Sequence, residues 1–333
     1  MQMTMSEPRP GSEFNLIQRH FAPLSAAESG AFVLRDDAAS LAVASGHELV
    51  ITKDMMVAGV HFFADDPPGT LSRKILRANL SDLAAMGATP RAYALGLALP
   101  DKLAPGWLED FCAGLAADQA QFGVTLIGGD TIAAPDALTL SLTAFGEVPA
   151  GRALRRSGAN GGDDIYVSGT IGDASLGLLV ARGQLEELSP VDRGALIGRY
   201  QVPLPRTKLG QCLLGRASAA IDISDGLVAD LGHICAVSQV GAQIEAALVP
   251  LSAAAKAACS ATPSLLAHML TGGDDYELMI CAPTEAANGI VQAACAAEVP
   301  LTRIGTVMEG SGVRVLAANG EEMRIEQGGY RHF

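Results

Sequence analysis

Strand-like and helix-like runs alternate along almost the whole chain, and that order most narrows the folds open to it. "HELVITKDMMV" reads as a strand with a loop. "TLSRKILRANLSDLAAMGATP" reads as a helix, because Leu71, Ile75, Leu76, Leu80, Leu83 and Met86 keep helical spacing and Gly87 with Pro90 stops it. "AYALGLALP" is a second strand ending at Pro100. "PGWLEDFCAGLAADQAQFG" is a second helix closed by Gly123, with Trp107 expected in a core or an interface. "TLIGGDT" and "ALTLSLTAFGEV" follow. The Gly- and Arg-rich "PAGRALRRSGANGGD" marks a boundary near residue 150. Beyond it come the strand "DIYVSGTIG", a long helical region, "SAAIDISDG", the helix "LVADLGHICAVSQ", "GAQIEAALVP", an alanine-rich helix, "GGDDYELMICAP" and a strand near "LTRIGTV". The fold class expected is α/β (α+β), with two mixed-sheet domains at 14–150 and 151–333 and a disordered tail at 1–13.

The composition has ample apolar material for two cores: 49% of the 333 residues are hydrophobic and 18% charged. The formal charge of −13 repels nucleic acid, so no nucleic-acid partner is expected. It also repels nucleotides unless metal ions intervene. None of the six cysteines lies in a CxxC pair, which reads as reduced core thiols of a cytoplasmic protein. "MQMTMSEPRPGSEF" has no basic start and no apolar run, so it is not read as a signal peptide. No window approaches ~18 unbroken apolar residues, so no membrane partner is expected.

The acidic residues carry the functional signal. Val124–Ile127 reads as a short buried strand, followed at once by Gly128, Gly129 and Asp130. Similar punctuation recurs at Asp36 and Asp37, at Asp54, at Asp222 and Asp225, and at Asp274 and Asp275. Ligands of α/β proteins gather at the carboxyl ends of strands, and glycine lets the backbone come close to an anion. Carboxylates on the same rim bind hard cations, and Mg²⁺ prefers a few carboxylates plus substrate phosphates. The pattern therefore suggests several Mg²⁺ ions holding phosphates over an acidic floor. Asp82 differs: it lies on the expected helix, on one face with Asn79, turned either to solvent or to the metal rim. An aspartate beside glycine also marks turns, and Ser224 or Asp225 can cap the helix that follows. For five clusters together, turn chemistry alone is the lesser reading. The chain has no P-loop, no kinase HRD or DFG set, no GxGxxG, no HExxH and no EF-hand loop.

The ordered set "DDAA", "KDMMVAGVHF", "NLSDLAAMGATP", "LIGGDT", "RSGANGGDDIYVSGTIGDASLG", "IDISDGLVADLGHI", "GGDDYEL" and "GGYRHF" closely resembles thiamine-monophosphate kinases, relatives of aminoimidazole ribonucleotide synthetase and selenophosphate synthetase. The resemblance runs from about Phe14 to the C-terminus. It implies ATP-dependent phosphorylation of thiamine phosphate to thiamine diphosphate, a homodimer formed through the N-terminal domain, and an active site between the domains. By motif matching it implies Asp37, Thr52, Asp54, Asp82, Asp130, Asp222 and Asp225 as metal ligands, with Asp130 and Asp225 the carboxylates on which catalysis depends. Gly129, Asp130, Arg156 and Ser224 correspond to ATP contacts; His61, Asp274 and Tyr330 to thiamine phosphate contacts. Three positions depart from the pattern. Arg35 stands where Gly usually precedes the paired aspartates, and Asp274 where Glu also occurs. Lys53 stands where many members have Thr or Ser, and its ammonium could neutralise a phosphate oxygen or displace a metal contact.

The implied chemistry suits these residue types. A phosphate acceptor has a second pKa of about 6 and is largely dianionic at neutral pH, so no general base is needed. The obstacle is repulsion: two unit charges 4 Å apart interact by about 4 kcal/mol at an effective dielectric near 20. Mg²⁺ ions bridging both reactants cancel it and align them in line. Two other readings stay open. One is another ATP-using relative of the aminoimidazole ribonucleotide synthetase type. The selenophosphate synthetase form of it is disfavoured because no cysteine precedes Cys112. The other is a non-catalytic protein that binds divalent cations.

Overall fold

The computed structural model describes residues 13–325 and Gly329. The tail at 1–12, Tyr330 and the rest of "GGYRHF" except Gly329 lie outside the described residues. The chain divides into two compact units. The first holds the described residues up to Ser45, Ile51–Asn79 and Pro90–Glu147; the second holds Gly46–Val50, Leu80–Thr89 and the described residues from Val148 onward.

The first sheet has four strands, β1 (His47–Val57), β2 (Thr89–Pro100), β3 (Thr125–Ala134) and β4 (Thr139–Pro149), in the order β1-β4-β2-β3, with β2 and β3 parallel. Helix Pro68–Ala85 buries Leu71, Ile75, Leu76, Leu80 and Leu83, the residues whose spacing predicts it. It also buries charge. Arg77 forks onto Asp118 with Nε and Nη2 at 2.6 and 2.7 Å, and Arg73 adds a third bond at 3.0 Å. Asp118 lies on helix Trp107–Phe122, which Gly123 ends in the left-handed conformation; there Trp107 is buried and stacked on Phe111.

β3 departs from the sequence reading. The strand does not stop at Ile127; it runs through Gly128, Gly129 and Asp130 to Ala134. A bulge makes this possible. Tyr93 pairs with Leu126 and Ala94 with Gly128, so Ile127 is the extra residue, and Asp130 continues the ladder opposite Gly96. Gly129 is required by close approach, since a Cβ there would lie 1.9 Å from the Leu95 carbonyl oxygen. Gly129→Ala is expected to cost more than about 1 kcal/mol of stability, read as a lower urea midpoint.

The second sheet is mixed, with β5 (Asp164–Ser168), β6 (Ala219–Asp222), β7 (Gly241–Glu245), β8 (Leu278–Ala282), β9 (Leu301–Met308) and β10 (Gly312–Leu316) in the order β10-β7-β9-β5-β8-β6. β10 and β7 are parallel; the other pairs are antiparallel. β5, β6 and β8 are buried along their whole length. Helix Leu227–Ser238 packs Leu227, Leu231 and Ile234 into the core over Ile165, Ile221 and Ile244. The helical stretch between β5 and β6 resolves into Asp173–Ala181, Pro190–Gln201 and Thr207–Leu213. Among the elements that escape the sequence reading are helix Leu265–Thr271, helix Ala287–Ala297 and β10. All six cysteines are free. No helix among the described residues is long and apolar enough to cross a membrane.

Candidate active site

In the first unit, Asp36, Asp37, Gly129 and Asp130 line one cavity of about 820 Å³, together with Arg35 and an apolar wall that includes Phe21, Leu95 and Leu97. The aspartate pair sits on a loop whose base is tied by the Ser40 amide to the Gly30 carbonyl at 2.8 Å. The approach is close: a Cβ on Gly30 would lie 2.0 Å from the Ser40 carbonyl oxygen. Phe32, Val33 and Leu34 turn this loop in the left-handed region, with φ of 49°, 55° and 55°, a conformation that costs β-branched and bulky residues about 1 kcal/mol or more each. Neither Asp36–Asp37 nor Asp130 therefore follows a strand end, as the sequence had suggested. The pair follows an irregular turn, and Asp130 lies within a strand.

On β1 the side chains alternate. Thr52 and Asp54 share the face of buried Met56, while Lys53 shares the opposite face with exposed Leu49, Ile51 and Met55. Lys53 donates to Ser141 Oγ on β4 at 2.5 Å. The sequence-based thought that Lys53 displaces a metal contact beside Thr52 and Asp54 is thus corrected by the period of two. His61 ends the tight turn after β1. Its Nδ1 accepts the Val57 amide at 3.1 Å, so a neutral ring carries its proton on Nε2. Buried Lys74 donates to the His61 carbonyl at 3.4 Å.

In the second unit, two loops lie backbone to backbone. One follows β6 and carries Ser224 and Asp225 just after Asp222; the other precedes β8 and carries Asp274. The Asp274 amide donates to the Ser224 carbonyl at 2.9 Å, and the Tyr276 amide to the Ile223 carbonyl at 2.8 Å. Glycines permit this contact. A Cβ on Gly273 would lie 2.3 Å from the Ser224 oxygen, and one on Gly226 2.6 Å from the Thr271 oxygen. Asp274 itself is left-handed, at φ 71°. Gly329 comes equally close: a Cβ there would sit 2.7 Å from the Asp225 carbonyl oxygen. Asp222, Ser224, Asp225 and Asp274 are thus one local group, as the sequence reading needs.

Arg156 is exposed beside β6, where the carbonyl of the preceding Arg155 accepts the Ala220 amide at 2.9 Å, two residues before Asp222. The Arg156 carbonyl accepts from Ser238 Oγ at 3.3 Å, at the far end of helix Leu227–Ser238 from Ser224 and Asp225. Asp82 is half-buried near the C-terminal end of its helix, where its carbonyl accepts from the Met86 amide.

Three buried acids brace the two loops, and of these only Asp275 stands out in the sequence. Asp230 Oδ2 accepts the amides of Ser224, Asp225 and Gly226. Burial, then repulsion from Asp225, push its carboxyl up to about 7 against the pull of those amides. Asp275 accepts the Gly172 and Ala174 amides at the start of helix Asp173–Ala181, and burial pushes it up to about 8. Glu277 takes Ser168, Arg199 and Arg206. An acid in the first turn of the helix "LVADLGHI" was the one visible signal for Asp230.

The donor chemistry is uniform. Thr52 and the aspartates offer hard oxygen atoms, which suit Mg²⁺. Asp225, Asp230 and His233 also bring one ligand atom each within 4.8 Å of one another.

Two family domains match the chain. Residues 35–148 match the AIR synthase related protein N-terminal domain, and residues 160–317 the AIR synthase related protein C-terminal domain. The thiamine-monophosphate kinase of Caulobacter vibrioides is 41% identical over 307 residues, 91% of this chain and 86% of that one. The crystal structure of thiamine-monophosphate kinase from Stenotrophomonas maltophilia K279a is 42% identical, with a TM-score of 0.79 over 87% of this chain and 91% of that one. A structure described as AaThiL complexed with AMPPCP and TMP is 31% identical, with a TM-score of 0.77 over the full length of both chains. The chain belongs to the thiamine-monophosphate kinase family, a family of enzymes.

Proposed function

We propose that this protein transfers the γ-phosphoryl group of ATP to the phosphate of thiamine phosphate, giving ADP and thiamine diphosphate. The observation that carries the reading is the paired loop of the second unit. There, the loop whose side chains are expected to face nucleotide and cation (Ser224, Asp225) accepts a backbone hydrogen bond from the residue expected to face the acceptor (Asp274). The relatives named thiamine-monophosphate kinase and the complex with AMPPCP and TMP support the same nucleotide and acceptor.

The cation ligands proposed are Asp37, Thr52, Asp54 and Asp130 of the first unit and Asp82, Asp222 and Asp225 of the second. Several Mg²⁺ ions, when bound, would cancel the repulsion between two phosphate anions and favour in-line transfer. Gly129 lines the cavity of the first unit and is proposed as a nucleotide contact, and Ser224 offers a hydroxyl. His61 presents an Nε2–H donor to the acceptor, and Tyr330 is proposed as an acceptor contact from the "GGYRHF" segment. Arg156, exposed beside β6, is proposed as a nucleotide phosphate contact through its planar guanidinium. No group need act as a base on a dianionic acceptor. The exposed apolar face of β1 (Leu49, Ile51 and Met55) is the surface proposed to close a homodimer. Six free thiols accord with a cytoplasmic location.

The test is ADP release screened over thiamine, thiamine phosphate, aminoimidazole precursors and selenide, with and without Mg²⁺. Release only with thiamine phosphate and only with Mg²⁺ is expected. Release driven by another acceptor, or none at all with thiamine phosphate, refutes the proposal.

A further inference from the structure

We propose that Asp230 is a positioning residue that sets the direction of both Asp225 and Asp274. Ser224, Asp225 and Gly226 turn three successive amides toward one point, at the N-terminus of helix Leu227–Ser238. Such an arrangement ordinarily cradles a phosphate or another anion. Here the acceptor is the chain's own: Asp230 Oδ2 accepts the three amides at 3.0, 3.0 and 3.1 Å, and Asp230 is 2% exposed. The cradle is filled from within.

Two consequences follow. The loop has no amide among these three left for a nucleotide phosphate, so what it offers a nucleotide is side chains, the Ser224 hydroxyl and the Asp225 carboxylate. A negative phosphate can meet Asp225 only through a cation, which fits a glycine-containing loop matching no phosphate-binding template. The second consequence is mechanical. The Ser224 peptide is held at its amide by Asp230, and at its carbonyl it accepts the Asp274 amide at 2.9 Å. Displacing Asp230 therefore moves the cation-side and the acceptor-side residues together. The loop cannot relax onto the neighbouring Thr271–Gly273 backbone, which already lies too close to Gly226 to admit a Cβ.

This inference rests on the reading of Asp225 as a cation ligand. Asp230→Asn keeps an acceptor oxygen of the same reach but loses its charge; Asp230→Ala removes the acceptor. Three measurements apply to the full chain: amide hydrogen exchange of residues 224–226, Mn²⁺ binding by electron paramagnetic resonance with a non-hydrolysable ATP analogue, and the Mg²⁺ dependence of ADP release. In a folded Asp230→Asn we expect at least tenfold faster exchange at 224–226, about tenfold weaker Mn²⁺ binding, and turnover largely recovered by excess Mg²⁺. Asp230→Ala should lose Mn²⁺ binding further, without recovery. A change confined to overall packing would not be recovered by Mg²⁺. An Asp230→Asn that folds with wild-type exchange and wild-type Mn²⁺ binding overturns the proposal, as does one that does not fold. If the wild-type chain binds Mn²⁺ with nucleotide but phosphorylates nothing, the kinase reading fails while this one stands.

Discussion

Asp225→Asn is expected to lower turnover by about 10²- to 10³-fold, the size of effect that losing one strong charge-stabilising contact produces, and to leave the fold intact. The argument has a functional and a structural half. On the functional side, Asp225 shares its loop with Ser224, and that loop shares a peptide contact with Asp274. The substitution keeps the shape of the side chain and removes its charge, so the loss falls on cation binding. On the structural side, Asp225 is half-buried, and its charge pushes the carboxyl of buried Asp230 upward. Removing that charge relieves a repulsion, so stability should be unchanged or slightly raised. Opposite signs for activity and stability mark a residue kept for chemistry rather than for folding. Turnover from ADP release and a urea midpoint, measured on the same preparation, decide it. Turnover within threefold of wild type would remove Asp225 from the machinery.

What the sequence revealed and what it hid can be traced residue by residue. Helix Pro68–Ala85 was legible because its apolar positions repeat at short range, and each of Leu71, Ile75, Leu76, Leu80 and Leu83 is buried. The continuation of β3 past Ile127 was not, because it depends on pairing with β2, some thirty residues upstream, and on a bulge that local sequence does not announce. The same gap misled the rule that aspartates follow strand ends. It holds for Asp222, the last residue of β6, but Asp54 and Asp130 lie inside strands and Asp274 follows helix Leu265–Thr271. The grouping of Asp222, Ser224, Asp225 and Asp274 was legible only through the family resemblance, since nothing local predicts that segments fifty residues apart will share hydrogen bonds. Lys53 was readable in principle: strand alternation alone places it opposite Thr52 and Asp54. Asp230 was masked by sitting at a helical position whose spacing reads as ordinary amphipathy. The bracing of Glu277 is invisible locally, since its partners lie more than seventy residues away.

Glu277→Gln is the change expected to cost most in stability. Glu277 is fully buried, and its carboxylate accepts from Ser168 Oγ at 2.5 Å, from Arg199 Nη2 at 2.8 Å and from Arg206 Nε and Nη2, both at 2.6 Å. Gly169 exists to let it in: a Cβ there would lie 2.2 Å from Glu277 Oε1. The substitution turns an amide NH₂ toward guanidinium groups and leaves two mostly buried cations, with side chains 16% and 17% exposed, without their counter-charge. Breaking one partner out of a buried ion cluster costs about 3–5 kcal/mol. Over a domain of this size, that is a fall in Tm of roughly 6–20 °C. The damage should not stay local. The Glu277 carbonyl accepts the Ile223 amide at 2.8 Å, so amide exchange is expected to rise from Ile223 through Asp225. The exposed pair Arg314–Glu322, at 3.0 Å, supplies the contrast: Glu322→Gln should shift stability by less than about 0.5 kcal/mol, because solvent already screens it. Equal urea midpoints for the two variants would mean that burial adds nothing to the Glu277 cluster, and the account of how the Asp274 loop is held would fall with it.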